Sequence, residues 1–312
     1  MIDDKQEIKT KNFSIKEKNK IIKIATNFPS TLATLQKTQH LMNKEGFALE
    51  VISENQLKEK YQINCNDALK EEIIDFNIAN NFHTMKAYNK FFIINREEQL
   101  EMICPLFHPK YGLYANKKNP LNITCLEDIK KYCNLRLLFA PFNDLFTAPC
   151  DFSRSLLLLK KLNLIKIDEQ IIEQKGYNLN LNDIDNIYHF NFIKTNNIMR
   201  ITELFNDHNA YDLAINCPGF MRTNVNFIRL GSIGLGKEEN DEPTDITFAS
   251  YAIIVAAKKN KQDKYKVQAI ENFLQNKEVK QSLFENGGPG KDYIIVQNPG
   301  KLKEMILSNF AD

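Results

Sequence analysis

Arg154 is the residue of this chain whose type and position bear most directly on chemistry. It stands in LRLLFAPFNDLFTAPCDFSRSLLLLKKLNLIKI (residues 135–167). This stretch reads as a buried strand over Leu135–Ala140, a polar and aromatic loop, and a helix opening at the arginine. A cation there faces the positive end of the helix macrodipole, which is unfavourable unless an anion joins it. Strand, loop, helix start and guanidinium together make a carboxylate receptor; the alternative is a solvated surface arginine. Asn216 ends a short apolar run, DLAIN, and its amide can bridge the carboxylate and ammonium of one ligand. Phe28, Phe82, Phe142, Phe146 and Phe152 either line an apolar pocket or pack in a core.

Catalytic patterns are weaker. GSIGLGK (231–237) approaches a phosphate-binding loop, but Glu238 stands where a Ser or Thr would hold magnesium, and its charge would repel phosphate. There is no Gly-x-Ser-x-Gly elbow. Cys150 and His189 are a conceivable nucleophile and base with no supporting spacing. The pairs Asp183/Asp185 and Asp241/Glu242 read as turn and surface charges. Six cysteines lack Cys-x-x-Cys spacing and five histidines lack metal-ligand spacing, so no metal or other cofactor is expected. Disulfides stay open. A net charge of +2 gives no footprint for nucleic acid. No apolar run reaches the roughly 18 residues that span a bilayer, and residues 1–20 read as a polar, Lys-rich, flexible tether.

The elements that must position these residues alternate between strand and helix. Strands are expected at Ile21–Ala25, Phe47–Ile52, Asp75–Ile78, Phe91–Ile94, Tyr111–Ala115, Asn186–Ile193, Asp212–Asn216, Tyr251–Ala257 and Asp292–Val296. Helices are expected after a Ser30 or Thr31 cap and near 66–73, 82–88, 199–207, 264–275 and 277–285, with Gly46 as a stop. That alternation predicts an α/β fold with mostly parallel sheets. Ligands bind beyond the carboxyl ends of such strands, where the loops 26–30, 77–81, 143–154 and 216–220 would converge.

Several segments carry a family resemblance. They are DFNIANNFHTMKAYNK (75–90), YGLYANK (111–117), RSLLLLKKLNLIKI (154–167), DLAIN (212–216) and NKEVK (276–280). In order, from Ile21 to Gly288, the chain resembles the NlpA-type methionine-binding lipoproteins, the substrate-binding proteins of methionine ABC importers. The resemblance implies a type II periplasmic-binding-protein fold of two α/β lobes with a ligand cleft between them. Lobe 1 would comprise 21–112 plus 251–312, and lobe 2 113–250. It implies Arg154 as carboxylate clamp and Asn216 as the amide on the amino-acid backbone. Further ligand contacts are expected from Phe28, Asn77, Asn80, Asn81, Phe82, Tyr111, Asn143, Phe146, Phe152 and Ser250.

The implied function is that of an extracytoplasmic receptor for methionine, a related amino acid or a short peptide. It would deliver to an ABC permease and be tethered through a lipid anchor removed with its leader. Three departures stand out: Ile78-Ala79-Asn80-Asn81 replaces the family's Phe-Phe-Gln-His, the loop before Arg154 is longer, and Phe248-Ala249-Ser250 replaces Tyr-Ala-Asn. The ends of the clamp are kept while the side-chain pocket is rebuilt. The alternatives are an enzyme on this scaffold with Cys150 as nucleophile, or a surface adhesin or signalling module that has lost transport.

Overall fold

The computed structural model describes residues 20–140, 149–176, 178–195, 198–221, 224–233, 241–244, 246–286 and 292–310. Eleven strands among these residues form two sheets. They are β1 (Ile21–Thr26), β2 (Ala48–Ser53), β3 (Phe76–Asn81), β4 (Leu100–Pro109), β5 (Tyr111–Asn116), β6 (Arg136–Phe139), β7 (Asn191–Lys194), β8 (Leu213–Asn216), β9 (Phe227–Ile233), β10 (Ile253–Lys258) and β11 (Tyr293–Ile295). The first sheet runs β11-β4-β10-β3-β1-β2 and the second β7-β6-β8-β5-β9. Each carries helices and apolar clusters on both faces, so the molecule is a pair of α/β lobes.

The sheets are mixed, not mostly parallel. β1–β2, β1–β3, β6–β7 and β6–β8 are parallel, whereas β10–β3, β10–β4, β11–β4, β5–β8 and β5–β9 are antiparallel. The parallel part comes from strand–helix repeats. The antiparallel part comes from the strands by which the chain leaves and re-enters a sheet. Lys110 is the single residue between β4 in the first sheet and β5 in the second.

Local chemistry fixes the element ends. Helix Pro29–Thr38 starts at proline, whose fixed φ suits a first turn. Phe28 is therefore its cap, and Ser30 and Thr31 are buried inside it instead of capping it. Gly46, at φ 81°, ends the following 3-10 turns as expected, its amide donating to Met42 and Asn43. Helix Glu54–Tyr61, absent from the sequence reading, opens on a Ser53–Gln56 capping box.

Phe91–Ile94 is not a strand. The helix that begins at Phe82 runs to Phe92, and the amide of its cap Ile93 donates to Asn89. The strand of this region is β4. Pro105, which argues against a central strand, sits there beside a register shift where Ile253 faces Phe107 and Ile254 faces Pro105. Strand β7 starts later than expected because the Asn186 side-chain nitrogen donates to the Phe190 carbonyl and its oxygen accepts from the Phe190 amide, closing a turn first. The helix expected over 199–207 is a 3-10 turn, Ile198–Arg200, followed by Ile201–Leu204. β9 and helix Pro299–Phe310 were not anticipated. Gly231–Ile233, the start of the Gly-rich segment, belongs to β9, where Gly231 faces Leu113 of β5.

Candidate functional site

Helix Pro149–Lys161 places Arg154, and it begins five residues earlier than the sequence reading put it. Arg154 is therefore in the second turn, and the macrodipole argument for an anion at its position does not hold. Leu156, Leu158 and Leu159 anchor this helix in the core of the second lobe. That packing carries the guanidinium inward until only 2% of Arg154 is exposed.

A buried cation needs partners, and Pro109, Tyr111 and Asp151 are among those around it. Its Nη2 donates to the carbonyl of Pro109 at 2.5 Å. The guanidinium carbon lies 4.1 Å from the centre of the Tyr111 ring. Its Nη1 is 3.9 Å from the carboxylate of Asp151, one helical turn back. The Tyr111 hydroxyl donates to the same carboxylate. Pro109 and Tyr111 flank Lys110, so the arginine of one lobe grips the backbone where the chain crosses from the other.

The charge is felt nearby. Burial and then the Arg154 cation push His108 down to about 3, leaving a neutral imidazole. Burial pushes the Cys217 thiol up to about 12, opposed by Arg154.

Asn216 ends β8 opposite Gly112 of β5, one residue from Tyr111. Its side-chain oxygen accepts from the Cys217 amide at 2.8 Å, and its nitrogen donates to the carbonyl of Ile198 at 3.3 Å. Phe28 reaches this junction from the first lobe. It meets Phe107 edge-on at 5.7 Å and stacks on Phe220 at 6.0 Å, and Phe220 follows β8 in the second lobe. Beside it, Tyr293 of β11 shares a 2.5 Å hydrogen bond with Ser30. A Cβ added to Gly219 would lie 2.7 Å from that tyrosine oxygen. Arg154, Tyr111, Asn216 and Phe28 thus gather at the junction of the lobes.

The other anticipated residues are engaged elsewhere. Asn77 and Asn80 both donate to the side-chain oxygen of Asn66, at 2.9 and 2.5 Å, forming an amide cluster within the first lobe. Asn81 caps the helix that follows, accepting from the Thr84 amide at 2.9 Å. Phe82 is in the first lobe's core, and Phe152 faces Phe139 at 5.0 Å in the second lobe's core. Ser250 is 2.7 Å from Nε2 of His83, whose pKa burial and Lys86 push down to about 4. Phe142, Asn143 and Phe146 lie outside the described residues, as does the side chain of Cys150.

The sequence reading singled out none of His108, Pro109, Asp151, Cys217, Phe220 and Tyr293, although Asp151, Cys217 and Phe220 lie in loops it expected to converge. Asp151 carried a signal, an acid three residues before the arginine on one helix. The others come together only through the fold. Among the described residues, no three His, Cys, Asp or Glu side chains are grouped to hold a metal, and no helix is long and apolar enough to cross a membrane.

No family model and no curated protein matches the sequence. Solved structures do match its fold. A lipoprotein of the YaeC family from Enterococcus faecalis aligns with a TM-score of 0.58 at 17% identity, over 89% of this chain and 99% of its own. An ABC transporter periplasmic substrate-binding protein from Coxiella burnetii aligns at 0.61 and 19%, over 88% and 100%. A nutrient-binding protein from Burkholderia cenocepacia, solved bound to methionine, aligns at 0.62 and 18%, over 88% and 99%. The two α/β lobes of this chain therefore have the fold of these substrate-binding proteins and lipoproteins, in agreement with the resemblance carried by its sequence segments.

Proposed function

We propose that the protein is a solute receptor of an ABC importer that clamps methionine, or a related amino acid or short peptide, between its lobes. Lobe 1 is taken as residues 21–112 plus 251–312 and lobe 2 as 113–250. The observation that carries this reading is the buried Arg154 guanidinium at the junction of the lobes, in a fold shared with a methionine-bound nutrient receptor. The guanidinium is a charged, planar donor that matches a ligand carboxylate in geometry and sign. Asn216 would take the amino-acid backbone and Phe28 would wall the side chain, with Tyr111 orienting the arginine.

The receptor performs no chemistry in this reading. Burial holds the thiols of Cys65, Cys104 and Cys217 well above their ordinary pKa, which makes them poor nucleophiles. The location is extracytoplasmic, and the partner is a membrane permease.

Mass spectrometry of small molecules released on denaturation tests the proposal. One amino acid or short peptide per chain is the expected result. Neither released ligand nor calorimetric binding of any amino acid would overturn it. Arg154→Ala lowers affinity by about 2 kcal/mol or more, roughly thirtyfold in Kd. An unchanged Kd removes Arg154 from the site.

A further inference from the structure

We infer that a second small-molecule site lies at the crossover between the lobes, in a cavity walled by His108, Glu242 and Lys301, and that it takes an amino-acid-sized zwitterion. The inference does not depend on what the Arg154 cluster binds. The cavity measures about 290 Å³, and Arg154, Asn216 and Phe28 are not part of its wall. This volume is near the lower end of the ~300–1,000 Å³ common for ligand sites, which limits the occupant to a small molecule.

The wall has the chemistry of a built site. His108 is 1% exposed, and its Nδ1 is buried with no hydrogen-bond partner among the described residues. A buried ring nitrogen left without a partner disfavours folding, and the ring that carries it lines the cavity. The imidazole is neutral, because burial and the Arg154 charge push its pKa down to about 3. It therefore reads hydrogen-bonding groups and does not attract net charge.

Charges of both signs flank it. The Glu242 carboxylate lies 3.9 Å from His108 Nε2, and its Oε1 accepts from the Gln297 amide at 2.9 Å. Lys301 stands in the first turn of helix Pro299–Phe310, where the helix end adds to its attraction for an anion. Leu302 and Met305 of the same helix give an apolar floor. A ligand ammonium on Glu242, a carboxylate on Lys301 and a small side chain on Met305 match the charged and apolar parts of this wall.

The position gives the site a consequence. His108 is two residues before the crossover residue Lys110, and Glu242 and Thr244 lie on the return path toward β10. An occupant touches both connections between the lobes together with a helix of the first, so it braces their relative angle.

Equilibrium dialysis of the full chain with each of the twenty L-amino acids, radiolabelled, tests the inference. For at least one amino acid the wild type binds two equivalents. Lys301→Met and His108→Gln weaken one of them at least tenfold, and Thr244→Trp, at an exposed wall position, blocks it. Arg154→Ala removes the other. An unchanged melting midpoint in Lys301→Met and Thr244→Trp excludes misfolding as the cause. A single equivalent lost only in Arg154→Ala overturns the crossover site and leaves the receptor reading standing. A single equivalent lost in Lys301→Met but kept in Arg154→Ala supports the crossover site and counts against the Arg154 clamp. No binding of any amino acid overturns both.

Discussion

Among single residues, Asp212 shows how charge is managed within the second lobe, at the end of β8 away from the junction. Arg136 donates to it from Nε at 3.0 Å and Nη2 at 2.8 Å, and the Arg136 amide adds a bond of 2.8 Å. Asn119 donates a further bond at 3.0 Å. Burial pushes the carboxyl up, but the bonds from Arg136 and Asn119 outweigh it, and its pKa lies below the ordinary value. A depressed folded pKa means a contribution present above the unfolded value of about 4 and lost as pH falls through the folded one. Asp212→Asn therefore costs about 2–3 kcal/mol at neutral pH. Urea unfolding of mutant and wild type should converge as the pH drops below 4. A gap that does not narrow as the pH falls below 4 would contradict this account. Arg154 belongs to the same scale: Arg154→Lys should not restore the affinity lost in Arg154→Ala. A point charge cannot both lie flat over Tyr111 and reach the Pro109 carbonyl; calorimetry of the two variants decides.

At the scale of elements, Gly219 lets the short helix Pro218–Met221 approach β11. An alanine Cβ would meet the Tyr293 oxygen at 2.7 Å, and the bond to Ser30 keeps that oxygen in place. Gly219→Ala should cost about 1–3 kcal/mol through overpacking and spread the lobes, seen as a larger radius of gyration in small-angle scattering. Phe220→Ala, which removes the stack on Phe28 without adding volume, should spread them with little strain; unchanged scattering in both variants would exclude this contact as a latch.

The sequence shows some of these elements and hides others for definite reasons. β1, β5, β8 and β10 are apolar runs with polar punctuation, and their positions were readable. Phe91–Ile94 was misread because a four-residue apolar run has no period, so the end of a helix looks like a strand. β4 was overlooked because Pro105 argues locally against a ladder that a register shift accommodates. Arg154 is buried at the junction, but the helix-start argument that drew attention to it does not hold. The helix start was placed by its leucines, whereas the first turn is built from Pro149 onward. Its partners Pro109 and Tyr111 are distant in sequence, and no local pattern announces them.

For the whole molecule, one crossing between the lobes is a strand that passes almost directly from one sheet into the other, β4 to β5 through Lys110. The junction holds a buried arginine, an aromatic stack and the amide of Lys110, which donates to the carbonyl of Asp292 at 3.0 Å. Lys110 itself is fully buried. Pro109 before it has a fixed φ and offers no amide of its own. A crossing so confined leaves few bonds about which one lobe can swivel, so the lobes should move as rigid bodies about a narrow axis. The consequence lies in isotope exchange. The Lys110 amide should take up deuterium as slowly as the centres of the sheets it joins, with or without ligand, because the swivel turns around this bond without breaking it. Rapid uptake there would mean that the crossing itself opens when the lobes part.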